Sequence, residues 1–299
     1  MIKTIILCSD KSKYTFKFIK LQNCEIMNVY KNKNSCFIIK IFRKLFYLLG
    51  IKNNPFYNDW AKNINDNVQL IVFDECKPYK GLANKLKEFK IKPIIYFWNP
   101  INQDDKIEFL KKNFNVYSYS KNDCKIYGLR FNQTFIPKIE FENKNIIYDA
   151  IFVGKNKNRL DLLEKLYKFF NNPYFYVIKD SNETSNVFKL KNKNDIIKYD
   201  DYIKLVNQSN CIIEVLPTVN AGITLRTAEA VVYDKKLITN NKSIKNEKIY
   251  KKGNILIFDI TICLDDIENF LKTKFNNYSD EEKNYFLPIR WISRFFNER

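Results

Sequence analysis

The chain has 299 residues, 45% of them hydrophobic and 16% aromatic, with only 6 Gly and 8 Pro, which excludes a disordered chain or a long flexible linker. Lys and Arg number 51 against 33 Asp and Glu, a net charge of +18 that suits nucleic acid, an anionic membrane surface or anionic substrates. His is absent, so Ser-His-Asp and Cys-His catalysis and His-ligated zinc are excluded, and any general base is Asp, Glu, Lys, Tyr or the substrate itself.

Part of the positive charge reflects a general abundance of Lys, Asn and Ile. The 7 Cys are odd in number, form no CxxC and mostly sit in apolar runs, the pattern of reduced, buried thiols in a cytosolic protein. The apolar run 4–8 is too short for a signal peptide. No run reaches the roughly 18 apolar residues that suit a membrane span.

Lys3 to Cys8 reads as a strand ending at Ser9-Asp10. The loop after a strand of an open α/β sheet faces the ligand crevice, so Asp10 is a candidate site residue as well as a candidate helix cap. Residues 35–51, SCFIIKIFRKLFYLLGI, read as a helix ended by Gly50. They are apolar nearly all round yet carry Lys40, Arg43 and Lys44. The stretch is either a buried helix on a sheet or a basic, aromatic helix in a membrane interface. Val68 to Phe73 is a strand followed by Asp74-Glu75, 81–89 a helix, and Lys92 to Trp98 a strand ending at Asn99. Two successive strands thus deliver polar side chains at their carboxyl ends. Asp74 is the preferred catalytic carboxylate, or else a turn-capping Asp. A helix over 104–113 and a strand over 115–120 follow.

Residues 142–148 are polar and mark a domain crossing. Asp149 to Gly154 opens a second βα unit, followed by Lys155, Lys157 and Arg159 and an amphipathic helix over 160–170. A Gly after a strand, with cations entering a helix, is either a phosphate cradle or a solvated helix start. It is neither a Walker A motif nor G-x-G-x-x-G. Residues 174–178 read as a strand, 181–193 as a polar loop and 199–206 as a short helix.

Residues 210–241, NCIIEVLPTVNAGITLRTAEAVVYDKKLITNN, carry the most information. A buried strand over 211–216 is stopped by Pro217, and 219–222 is loop. Gly222 allows close approach to a ligand or a turn only Gly tolerates cheaply. Thr224 is the first choice of N-cap for a helix running to Val232, and Lys236 to Thr239 is the next strand. Arg226 and Glu229, three apart, share a helix face. They are either a surface ion pair or groups that hold a diphosphate and a ribose. A strand over 255–258, a helix over 265–274, a polar connector over 278–284 and a basic aromatic helix over 287–296 complete the chain.

The stretch with Gly222, Thr224, Arg226, Glu229 and Ala230, then Lys235-Lys236-Leu237-Ile238-Thr239-Asn240, resembles the nucleotide-binding region of a GT-B glycosyltransferase of bacterial lipopolysaccharide or capsule biosynthesis. The resemblance extends more loosely over most of the chain. It implies two Rossmann-like domains facing a central cleft, an acceptor-side domain over 1–145 and a nucleotide-sugar domain over 146–280. A terminal helix over 281–299 would cross back to the first domain. It implies donor contacts at Gly154, Lys155, Arg159, Gly222, Thr224, Arg226 and Glu229, with Glu229 on the ribose. Asp74, then Asp10, would be the catalytic base if transfer inverts the sugar, with Glu75 and Asn99 on the acceptor side. The partners would be a nucleotide-sugar donor and a glycan or lipid-linked glycan acceptor. Segments 35–51 and 287–299 could touch the inner face of the cytoplasmic membrane, and nucleic acid is not expected. No D-x-D motif occurs, as Asp104-Asp105 and Asp200-Asp201 lack its spacing, so no metal or other cofactor is expected. The rival readings are a nucleotide-sugar epimerase or hydrolase on the same fold, and a basic nucleic-acid-binding protein.

Overall fold

The structure is a computed structural model that describes residues 3–11, 16, 19, 21–31, 37–76, 79–87, 92–102, 106–141, 145–217 and 222–297. Its contacts divide the chain into two units, Met1–Gln133 and Thr134–Arg299.

The first unit is built from β1 (Lys3–Cys8), β2 (Cys24–Asn28), α1 (Phe37–Leu48), α2 (Trp60–Asn63), β3 (Val68–Phe73), α3 (Tyr79–Leu86), β4 (Ile94–Phe97), α4 (Ile107–Asn113), β5 (Asn115–Ser118), α5 (Lys121–Tyr127) and β6 (Arg130–Phe131). The strands form one parallel sheet in the order β2-β1-β3-β4-β5-β6. β1, β3 and β4 are apolar runs buried almost throughout, as strands covered on both faces must be. The strand order reverses between β1 and β3, which places a crevice beyond their carboxyl ends.

The buried-helix reading of 35–51 is not what the structure shows; its first two residues lie outside the described ones. Phe46 of α1 packs edge-on against Phe56, and Asn84 Nδ2 of α3 donates to the Gly50 carbonyl just past α1, so one face holds α1 to the rest of the unit. The opposite apolar face is exposed. Gly50 has φ +67°, the conformation that ends the helix.

The second unit contains β7 (Tyr148–Lys155), α6 (Leu160–Tyr167), β8 (Pro173–Ile178), α7 (Tyr199–Asn207), β9 (Ser209–Glu214), α8 (Leu225–Val232), β10 (Lys236–Thr239), β11 (Ile255–Ile257), α9 (Leu264–Lys272), α10 (Asp280–Asn284) and α11 (Pro288–Asn297). Its parallel sheet runs β11-β10-β9-β7-β8, reversing between β7 and β9. Phe152, Leu163, Leu166, Phe175, Ile213, Ile238, Ile267 and Phe270 fill its core. The two lysines at the start of β10, Lys235 just before it and Lys236 its first residue, are structural. Lys235 Nζ donates to the Asn207 carbonyl at the end of α7, and Lys236 Nζ to the carbonyls of Phe270, Leu271 and Thr273 at the end of α9. A cation there satisfies carbonyls the helix leaves unpaired and complements its dipole.

Residues 278–284 are not simply a polar connector. Ser279 and Glu282 form a capping box that starts α10, and the sequence signal S-x-x-E was present. On α11, Trp291 is fully buried with its ring 4.4 Å from Phe135, and Ile136 N–H donates to the Phe286 carbonyl. These contacts lie within the second unit. Of the described cysteines, Cys8, Cys76 and Cys211 are buried, Cys24 and Cys124 half-buried, and Cys263 exposed; all are free thiols. Among the described residues no helix is long and apolar enough to cross a membrane.

Candidate functional site

The candidate residues fall into two groups, one at the carboxyl edge of each sheet. In the first unit Asp10 follows β1, Asp74 and Glu75 follow β3, and Asn99 follows β4. Asp74 is 6% exposed, and its Oδ2 accepts from the Asn99 backbone N–H (3.3 Å) and from Asn99 Nδ2 (3.0 Å). Its carbonyl accepts from the Tyr79 hydroxyl. Glu75 Oε1 accepts from the Ser9 N–H at 3.2 Å, tying the loops after β1 and β3 together. Asp10 is also buried. Asp74 therefore organises its loop and lies beside the crevice at the carboxyl end of β3.

In the second unit the group centres on the β7–β9 reversal. α8 begins at Thr224, whose Oγ1 accepts from the Thr227 N–H at 3.2 Å as the N-cap. Arg226, in the first turn, reaches back so that its Nη2 donates to the Val153 carbonyl of β7. Arg159, at the start of α6, crosses the reversal: Nη1 donates to the Val215 carbonyl after β9, and Nη2 to the Lys155 carbonyl at 2.8 Å. Both guanidinium groups lie over the Phe152 ring, at 5.1 and 5.3 Å from its centroid. Gly154 makes room for them. A Cβ at that position would sit 2.8 Å from Arg226 Nη2 and 3.4 Å from Arg159 Nη2.

Two cations are thus held side by side at the end of a parallel sheet. Burial, and next the Arg226 charge, push the Arg159 pKa down to about 10. Arg159 Nε is buried without a hydrogen-bond partner. Among the described residues neither guanidinium belongs to an ion pair. Like charges in a partly desolvated site repel, and an anion placed between them would relieve that repulsion and meet the open donor. The loop from β7 to Arg159 is itself unusual: Lys157 and Asn158 are consecutive residues with φ +50° and +57°, a conformation that costs energy for side-chain-bearing residues.

Glu229 does not form the surface ion pair with Arg226. It is 2% exposed, and its carboxylate accepts from the Tyr199 hydroxyl (3.0 Å) and the Tyr202 hydroxyl (2.6 Å) of α7. Burial raises its pKa to about 7, against the lowering effect of those hydroxyls and of Arg226. Glu214, at the end of β9, is also fully buried, accepting from the hydroxyls of Thr224 and Thr239.

Several residues that shape this site carry no signal of that role in the sequence. Asn240 forms paired bonds with Leu216 (2.7 and 2.9 Å), pinning the chain after β9. Asn241 Nδ2 donates to the Gly222 carbonyl at 2.6 Å, and the Gly222 N–H donates to Ser243 Oγ at 3.1 Å. Gly222 has φ +66°, and the space where a Cβ would stand is open, so backbone conformation rather than room requires glycine. Residues 219–221 of that loop lie outside the described ones. The spacing Tyr199-x-x-Tyr202 on one helix face is the legible signal for the partners of Glu229.

Two reversing parallel sheets, with cations gathered at the second reversal, define an α/β protein consistent with a GT-B-like two-domain fold. Solved structures agree with that class. One is described as "Trehalose-6-phosphate from E. coli bound with UDP-2-fluoro glucose", with a TM-score of 0.55 at 8% identity over 99% of this chain and 98% of that one. Another is the N-terminal domain of Candida albicans trehalose-6-phosphate phosphatase, with a TM-score of 0.52 at 9% identity over 98% and 95%. At such identities the likeness is one of fold. No protein-family model and no curated protein matches the chain.

Proposed function

We propose that the chain is a glycosyltransferase that moves a sugar from a nucleotide-diphosphate donor to a glycan acceptor. The observation that carries this reading is the pair of guanidinium groups, Arg159 and Arg226, beside Gly154. As the bond between sugar and diphosphate breaks, negative charge grows on the departing oxygen, and fixed cations there act most strongly in the transition state. The E. coli neighbour, described with UDP-2-fluoro glucose bound, supports a nucleotide sugar as the ligand of this fold.

In this reading the diphosphate lies against Arg159, Arg226 and Lys155, with backbone N–H groups near Gly154 and Gly222 and the Thr224-capped start of α8. Glu229 takes the ribose hydroxyls, which would replace the Tyr199 and Tyr202 hydroxyls on its carboxylate. Asp74, held by Asn99, is the proposed base, with Asp10 the second candidate and Glu75 on the acceptor side. An acceptor hydroxyl attacks the anomeric carbon, its proton passes to the carboxylate, and the diphosphate leaves with the bonding electrons. The two guanidinium groups supply the charge that a metal ion would otherwise bring, so transfer is proposed to be metal-independent. The likeness of 222–240 to enzymes of lipopolysaccharide or capsule assembly supports a growing surface glycan as acceptor.

The test is a thermal-shift screen with UDP, GDP, CDP, CMP, ADP and dTDP, followed by nucleotide release from the matching sugar donor with and without glycan acceptors. Acceptor-dependent release is expected, and Asp74→Asn should lower it by about 100-fold or more while the thermal shift persists. Epimerised or hydrolysed sugar from donor alone, equal with and without acceptor, would replace transfer by epimerisation or hydrolysis. No shift with any nucleotide would remove the donor reading.

A further inference from the structure

An anomalous surface of the first unit lies on α1. Among the described residues, seven of the fifteen exposed large hydrophobic side chains fall between 37 and 49, each 45% to 76% exposed. Scattered apolar residues on a surface are ordinary; a contiguous patch marks an interaction. Phe37, Ile38, Ile41, Phe42, Leu45 and Leu48 occupy one side of the helix. At 3.6 residues per turn they span an arc of about 140°. The opposite side, through Phe46 and Gly50, holds α1 to the body of the unit. Arg43 lies over the Tyr30 ring at 4.8 Å, and Lys40 is exposed along one border of the apolar arc.

Charge selects the occupant. Between Glu25 and Asp59 the sequence holds six Lys or Arg and no acidic residue. A second copy would bring the same cationic segment against this one, which like-charge repulsion disfavours. A nucleic-acid backbone would match the cations but leave the apolar arc in water. A bilayer with anionic headgroups satisfies both: the apolar arc enters the acyl boundary while the flanking cations stay at headgroup level. We propose that α1 lies flat in the surface of an anionic membrane and anchors the first unit there. This inference is independent of the glycosyltransferase reading, because vesicle binding needs neither donor nor turnover.

The test is cosedimentation of the full chain with vesicles of phosphatidylcholine alone and of phosphatidylcholine containing phosphatidylglycerol. Binding to the anionic vesicles, weakened by salt and slight on phosphatidylcholine, is the expected result. The double variant Phe42→Asp, Leu45→Asp should lose binding by at least about tenfold. Lys40→Gln should weaken it by about fivefold. Both sets of side chains are exposed, so melting temperatures should match the wild type; Lys40→Gln serves alone if the double variant does not fold. No binding to anionic vesicles, or binding unchanged in the variants, overturns the proposal. So does concentration-dependent self-association without vesicle binding that the double variant abolishes, which would make a second copy the occupant.

Discussion

Arg226→Ala should leave the protein as stable as before while removing its response to nucleoside diphosphates. The Arg226 guanidinium donates to the Val153 carbonyl and sits close enough to Arg159 to help push that pKa down to about 10. The substitution loses one hydrogen bond, about 1 kcal/mol, and relieves a like-charge contact, so the two effects roughly offset. Toward a diphosphate the balance is one-sided. Charge-assisted hydrogen bonds contribute about 1.5–3 kcal/mol each, and losing about 3 kcal/mol weakens binding by about 150-fold. At a nucleotide concentration about 100 times the wild-type Kd, the wild type gains about 2.7 kcal/mol. That corresponds to a rise of about 5–10 °C for a unit of this size. The variant, close to its own Kd, gains about 0.3 kcal/mol, a rise of about 1 °C. Differential scanning fluorimetry with and without nucleotide reads both quantities. An equal shift in variant and wild type would refute the placement of the diphosphate.

Gly154→Ala tests the same pocket without removing a charge: its Cβ would lie 2.8 Å from Arg226 Nη2 and force the guanidinium aside. A displacement costing about 1–2 kcal/mol should weaken nucleotide binding by roughly tenfold, measured by titration calorimetry. Glu229 gives a pH signature. Its carboxyl pKa is raised by burial from 4.5 to about 7. The stability linked to neutral Glu229 is therefore full below the unfolded value and is lost as pH rises through about 7. Glu229→Gln should match the wild type near pH 4 and exceed it by about 3 kcal/mol near pH 8, read by urea unfolding across that range. A variant no more stable at the alkaline end would show that the carboxylate is held ionised.

Much of the architecture is legible in the chain itself. The runs 3–8, 68–73 and 236–239 are short, apolar and bounded by polar residues, and each forms a buried strand with those limits. Buried parallel strands need apolar side chains on both faces, which leaves a strong local signal. Thr224 as N-cap is legible for a similar reason, since its Oγ1 bonds only three residues along the same chain. β2 is not legible: Cys24–Asn28 is half-buried throughout and sits at the sheet edge, where periodicity is weak.

The site shows where local signals end. Sequence places Arg226 and Glu229 three apart on one helix face, which allows either an ion pair or two ligand contacts. Only the tertiary structure turns them to different neighbours, Arg226 to Val153 and Glu229 to Tyr199 and Tyr202. Those partners are distant in the chain, and their approach depends on the strand order β9-β7-β8, which no local pattern encodes. The lysines at the start of β10 make the same point: as sequence they are a charged pair, and in the fold each closes the end of a helix. Composition and periodicity determined which segments are strands, helices and caps, because those follow from neighbours a few residues apart. Packing across the sheet decided which charges are paired, which are buried, and which face of α1 is left to the solvent, because those depend on contacts between segments far apart in the chain.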